Sequence, residues 1–291
     1  MTWRTRAGAV LLFFAWGFFM HASGLVLHEL GGHALAGRVL ACGVSGWQLT
    51  FFGHGQVTYA PCTAWTEARV LVADWAGLAL TITTGLVAAS FARSPRLAPL
   101  PRLLVALVAF FFLVGQLGYA ASGGFHDLYD PGRTARILGA HGAHVVAWLV
   151  PLVAYAAAAA YGARAVVDAF RAHFGTATRL ATLLGMATTL GLGGVLYGLA
   201  YRIEWQLRAD LPMKGVATAA ERVAVQKGVA PPFPFGHLLT AIAVAAVAWA
   251  LLRRPRDVGG GPVTIPRRTA ARVAALAGGT FLVVAALMRA G

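Results

Sequence analysis

Residues 21–37 read His-Ala-Ser-Gly-Leu-Val-Leu-His-Glu-Leu-Gly-Gly-His-Ala-Leu-Ala-Gly, so that His28, Glu29 and His33 close an apolar run that starts at Ala7. That run is long enough to cross a bilayer, and ionisable groups in such a segment are costly to keep unless they have a role. The fold is therefore read outward from a first membrane span of residues 7 to about 37 with a functional site at its end. An alternative reads Trp3–Met20 as a signal peptide with Ala22-Ser23-Gly24 as the cleavage site. Leu25-Val26-Leu27 speak against it, because they carry the apolar run straight into the histidine motif.

Composition points the same way. Of 291 residues, 58% are hydrophobic and 12% charged, and mean hydropathy is +0.69, far from the mix of a soluble domain. Lys and Arg (24) outnumber Asp and Glu (10). The basic residues sit in short clusters between apolar runs, where membrane orientation accounts for them and nucleic-acid binding does not.

Further spans are expected at about 70–92, 103–122, 145–163, 180–201, 236–252 and 270–288. Between the first two, Trp47–Phe52 and Gln56–Tyr59 are β-prone runs around Gly53-His54-Gly55, the pattern of a hairpin. The expected fold is thus an all-α polytopic membrane protein of about seven transmembrane helices with a small membrane-associated β-hairpin after the first. It forms a single integral membrane domain over 1–291, with a motif core at about 7–140 and additional helices over 145–291. The polar insert 202–235 has room for a short surface helix at 217–226 before the Pro231-Pro232-Phe233-Pro234 break. Trp3, Trp47, Trp65 and Trp205 read as interface anchors.

With the N-terminus inside, the inner segments and Arg272 carry 14 basic and 2 acidic residues, and the outer segments carry the remaining 10 and 8. This asymmetry predicts a cytoplasmic N-terminus and a site toward the outer face of a bacterial inner membrane. Cys42 and Cys62 fit no CxxC pattern. They flank the hairpin on the outer side, so a disulfide and two free thiols both remain open.

His-Glu-x-x-His on a helix presents two imidazoles to one zinc ion and leaves the glutamate as base. Here the histidines are five apart, and on a regular α-helix such positions diverge by roughly 140°. A π-bulge at Gly31-Gly32 would realign them. Alternatively Glu29 and His33, four apart, form the aligned pair, with His28 or His21 on another face. A third reading makes the histidines interfacial residues at a helix end.

At this motif the chain resembles the site-2 protease family of intramembrane zinc metalloproteases, whose first helix reads His-Glu-Leu-Gly-His-Ala-Leu-Ala. His28–Gly37 is similar to it apart from one inserted glycine. The hairpin, Ala76-Gly77-Leu78 (similar to an Ala-Gly-Pro helix start) and Tyr129-Asp130-Pro131-Gly132-Arg133 (similar to a Leu-Asp-Gly-Gly-Arg segment) extend the likeness over residues 20–140. The resemblance implies Zn²⁺ held by His28, His33 and Asp130, with Asp127 competing for the third place, and Glu29 as general base. Its implied substrates are membrane proteins or membrane-associated peptides.

Two other classes stay open: a catalytically inactive metal-binding scaffold, and a membrane di-iron oxygenase. The other histidines point elsewhere. His54 at the hairpin tip reads as a surface residue or a neighbour of the metal, His141 and His144 as a loop entering a helix, His237 as interfacial, and His173 as an inner-side residue.

Overall fold

The computed structural model describes residues 3–127, 129–176, 178–207, 235–253 and 264–290. The surface helix expected at 217–226 and the Pro231–Pro234 break lie outside the described residues. Helix α1 (Trp3–Val26) continues through a π-helical segment (Leu27–Ala34) into α2 (Leu35–Val39). Strands β1 (Val44–Leu49) and β2 (Gly55–Tyr59) follow, then α3 (Glu67–Ala92), α4 (Pro99–His126), α5 (Tyr129–Ala140) and α6 (His144–Phe174). A helix with a second π turn at Ala187–Gly191 comes next, its halves α7 (Arg179–Met186) and α8 (Leu192–Leu207), before α9 (Phe235–Leu252) and α10 (Arg267–Ala290). Among the described residues, seven helical stretches are long and apolar enough to span a membrane, the first covering Thr5–Val39 without a break at residues 22–24. The architecture is an all-α polytopic membrane protein with one small two-stranded sheet.

Helix α4 is the central post, with α3 and α6 packed along it. Small residues set these contacts, as expected where lipid removes the hydrophobic drive between helices. The α-hydrogen face of Gly162 meets Phe110, and that of Gly118 meets Tyr155. A buried cluster of Leu12, Phe13, Trp16, Leu103, Leu104 and Phe170 ties α1 to α4 and α6. Within it the Trp16 indole N–H donates to the Leu104 carbonyl at 3.0 Å.

Helix α6 runs eleven residues beyond the expected end at 163. Arg164 and Asp168 interrupt the apolar run, but they pair across one turn at 3.5 Å. Val166, Val167 and Phe170, on the other side, stay buried. The helix stops at Gly175, whose φ of 62° is the left-handed cap that glycine takes without strain.

The hairpin is antiparallel, with Trp47 opposite Val57 and an irregularity between Val44 and Gly46. Its turn begins three residues earlier than expected, with β1 ending at Leu49, because the Thr50 hydroxyl accepts from the Gly53 and His54 amides at 3.1 and 2.7 Å. Late helices hold that turn in place. The Glu204 carboxylate of α8 accepts from the Phe51 and Phe52 amides, both at 2.7 Å, and the Tyr197 hydroxyl donates to the Phe52 carbonyl. Trp47, expected at the interface, donates from its indole to the Leu287 carbonyl of α10 at 3.1 Å.

At the base, Cys42 and Cys62 form a disulfide across 20 positions. A link closing a loop of that length contributes about 3 kcal/mol in the chain-entropy view. Replacing both cysteines by serine is therefore expected to lower the thermal midpoint in detergent and to speed amide exchange over 44–59. Unchanged exchange there would show that the late helices alone fix the hairpin.

Candidate metal centre

The extra residue between the histidines is absorbed by eight residues of π-helix, Leu27–Ala34, rather than by one bulged turn. With i→i+5 bonding, positions five apart return to one face. The His28 and His33 rings accordingly lie 4.8 Å apart, centroid to centroid. Among the three local readings, the structure thus pairs His28 with His33, not Glu29 with His33. His21 lies one turn or more away, against Phe111 and Tyr197.

The glycines do more than permit this backbone. A Cβ on Gly32 would sit 2.3 Å from the Gly77 Cα of α3, so two backbones touch there directly. A Cβ on Gly77 would lie 2.8 Å from both the His28 carbonyl and His33 Nε2. Gly32 and Gly77 therefore let the π segment and α3 close to a separation no side chain allows.

Asp130 completes a cluster in which one atom from each of His28, His33 and Asp130 lies within 4.8 Å of the others, the single such group among the described residues. The Nδ1–H of His33 donates to the Ala73 carbonyl at 2.7 Å. That bond fixes the tautomer and leaves Nε2 as a lone pair. Nε2 is 3.3 Å from Asp130 Oδ2, outside hydrogen-bond geometry, and the buried Nδ1 of His28 also has no partner. Buried polar atoms are rarely left unpaired. Two imidazoles and a carboxylate facing one point fit the three protein ligands of a catalytic zinc site.

Asp130 stands in the first turn of α5. Arg133 bridges two carboxylates, at 3.5 Å from Asp74 Oδ1 and 3.7 Å from Asp130 Oδ1. The Tyr119 ring lies 6.2 Å from His28, and its hydroxyl hydrogen-bonds the Asp130 backbone. The Tyr59 hydroxyl of β2 donates to the His33 carbonyl at 3.0 Å. Burial, helped by Asp130 and Asp74, pushes that phenol up to about 12, so it stays a donor.

Glu29 is buried and lines the same cavity of about 630 Å³ as His28, His33 and Asp130. The hairpin closes over it at Gly55, where a Cβ would lie 2.4 Å from Glu29 Cγ. Asp127 is elsewhere. It caps α4 in the left-handed region (φ 55°), and its carboxylate faces His144 at 3.3 Å. His54, read as surface or near-metal, is half-buried on the cavity wall and bonds the Tyr201 hydroxyl at 2.7 Å. His141 pairs with Glu67 on the surface at 3.3 Å, and His173 is buried outside the cavity. Asp74 and Arg133, both visible in the sequence, support the cluster, and Tyr119 and the Ala73 carbonyl are the supporting groups that residue patterns alone did not mark.

Zinc content of purified protein is expected at one per chain. Alanine at His28, His33 or Asp130 is expected to weaken binding at least about tenfold, and alanine at Asp127 to leave it unchanged. Gly77→Ala is expected to act like a ligand loss although it removes no donor, with a stability loss of about 1–3 kcal/mol from overpacking; full zinc content in that variant would contradict the backbone contact. Compared with protein-family models, curated proteins and solved structures, the chain matches none, so its function is read from this geometry.

Proposed function

We propose that the chain is an intramembrane zinc metalloprotease of the site-2 type, hydrolysing peptide bonds in membrane-spanning or membrane-adjacent segments. The observation that carries this is the meeting of His28, His33 and Asp130 in one cavity with the buried carboxylate of Glu29. His28, His33 and Asp130 would hold the metal, which when bound polarises a carbonyl and acidifies water. Glu29 takes a proton from the attacking water and returns it to the leaving amine nitrogen as the C–N bond breaks. The Ala73 carbonyl orients His33, and Arg133 with Tyr119 holds Asp130.

Gly55, Gln56 and Val57 line the cavity, and β2 pairs only with β1 among the described residues. Its second edge is therefore suited to hold an extended substrate strand by main-chain hydrogen bonds. The arginine-rich segments at the far end of the bundle support a cytoplasmic N-terminus, with the site toward the outer face of a bacterial inner membrane. The oxygenase alternative would need ligands for a second iron. Beside Asp130 stands the Arg133 guanidinium, while Asp127 pairs with His144 and His141 with Glu67, none of them lining the cavity.

In proteoliposomes, Glu29→Gln is expected to keep zinc and lose peptide cleavage by at least about 100-fold, the scale of a lost general base. Chelation should abolish cleavage and one equivalent of zinc restore it. Two equivalents of iron would favour the oxygenase. Zinc with no cleavage by wild type, and no cellular effect of Glu29→Gln, would favour the inactive scaffold.

A further inference from the structure

The cavity is longer than the metal chemistry requires. It continues along α1 from His28 to His21, seven residues and about 10 Å at the helical rise. His21, Phe111 and His54 wall the end away from the metal, and Gln116, on α4 between Phe111 beside His21 and Tyr119 beside His28, lines the stretch between the two ends. Gln116 belongs to the membrane-spanning part of α4, and its side chain has no hydrogen-bond partner among the described residues. The His21 ring bonds the Gly53 backbone and is electrostatically coupled to His54. His54 uses Nε2 on Tyr201, which leaves Nδ1. Three hydrogen-bonding side chains thus line this stretch, two of them on membrane-spanning helices, where a polar group is tolerated when it lines a cavity and serves a ligand.

The charges around this end are distinctive. All three cavity carboxylates, Glu29, Asp74 and Asp130, and both arginines, Arg133 and Arg136, belong to the metal end. Glu204 is committed to the Phe51 and Phe52 amides. Burial holds the His54 imidazole below its ordinary pKa, hence neutral. A cationic or anionic side chain entering here would lose its hydration without gaining a counter-ion. An apolar one would leave the Gln116 amide and the imidazole nitrogens unpaired, which costs as much as lost hydrogen bonds.

We propose that the stretch of the cavity lined by His21, His54 and Gln116 is a specificity subsite for an uncharged polar side chain (Asn, Gln, Ser or Thr) of the substrate segment. An extended chain advances about 3.3 Å per residue. The recognised side chain therefore lies about two to three residues from the bond cut, on the side toward the Thr5 end of α1. This inference rests on the hydrolase reading above and names the substrates that site accepts.

The test uses full-length protein in proteoliposomes and synthetic Leu/Ala transmembrane peptides in which one position at a time is Asn, Leu or Lys. Cleavage sites are read by mass spectrometry. Binding of the same peptides to zinc-loaded Glu29→Gln protein is read by fluorescence anisotropy. Asn at the stated spacing is expected to raise both cleavage and binding at least about tenfold over Leu or Lys, the equivalent of one net hydrogen bond. Gln116→Leu and, separately, His54→Phe should erase that preference, with zinc content reporting that each variant is folded. Equal binding of Asn and Leu peptides would overturn the subsite, as would a preference that survives both substitutions. Discrimination in binding without cleavage by wild type would instead sink the hydrolase reading and leave the subsite standing; cleavage without discrimination would do the reverse.

Discussion

The contact on which the rest depends is between two stretches of bare backbone, Gly32 in the π segment and Gly77 in α3. At that separation the Ala73 carbonyl reaches His33 Nδ1, and the other ring nitrogen is left facing Asp130. One steric condition, the absence of two methyl groups, therefore sets helix spacing, imidazole tautomer and ligand direction together. In a bilayer this matters more than in water, because apolar burial contributes little to holding helices together and close backbone approach contributes much.

The chain divides its work between two regions. The part up to about residue 140 supplies every group in the metal cluster. The later helices supply none, yet α8 and α10 fix the hairpin that closes over Glu29 through Glu204, Tyr197 and the Leu287 carbonyl. Stability of the cover and chemistry beneath it thus sit on different helices. Substitutions in α8 can alter access to the site without touching a ligand.

Much of this was legible in the residue pattern, and the exceptions have physical causes. Spanning helices announce themselves by apolar length, so their number and order could be read directly. The end of α6 could not, because Arg164 and Asp168 look like a boundary until their mutual pairing is known. His28, Glu29 and His33 stood out because charge is expensive in such a segment. Asp130 and Asp127 are indistinguishable by sequence, being three residues apart after one helix. Left-handed backbone at Asp127 and Tyr129 separates them, sending one carboxylate to His144 and the other to the histidines. The Ala73 carbonyl carries no side-chain signal at all, and Tyr119 is one aromatic among many. His54 looked like a loop-tip residue because its partners, Tyr201 and Trp205, lie about 150 positions away.

The widened turn of the first span also separates phase from spacing. In a rigid α-helix each added residue rotates everything before it by about 100°, which would swing the lipid-facing side of the N-terminal half into the protein. Here the dilation takes up the surplus locally, and both halves keep their own azimuth. A divalent-ion site on such a helix tolerates an odd count between its ligands, provided small residues flank the dilation and a neighbouring helix offers bare backbone opposite. Imidazoles five apart around a glycine pair in a lipid-embedded helix therefore merit the same scrutiny as imidazoles four apart.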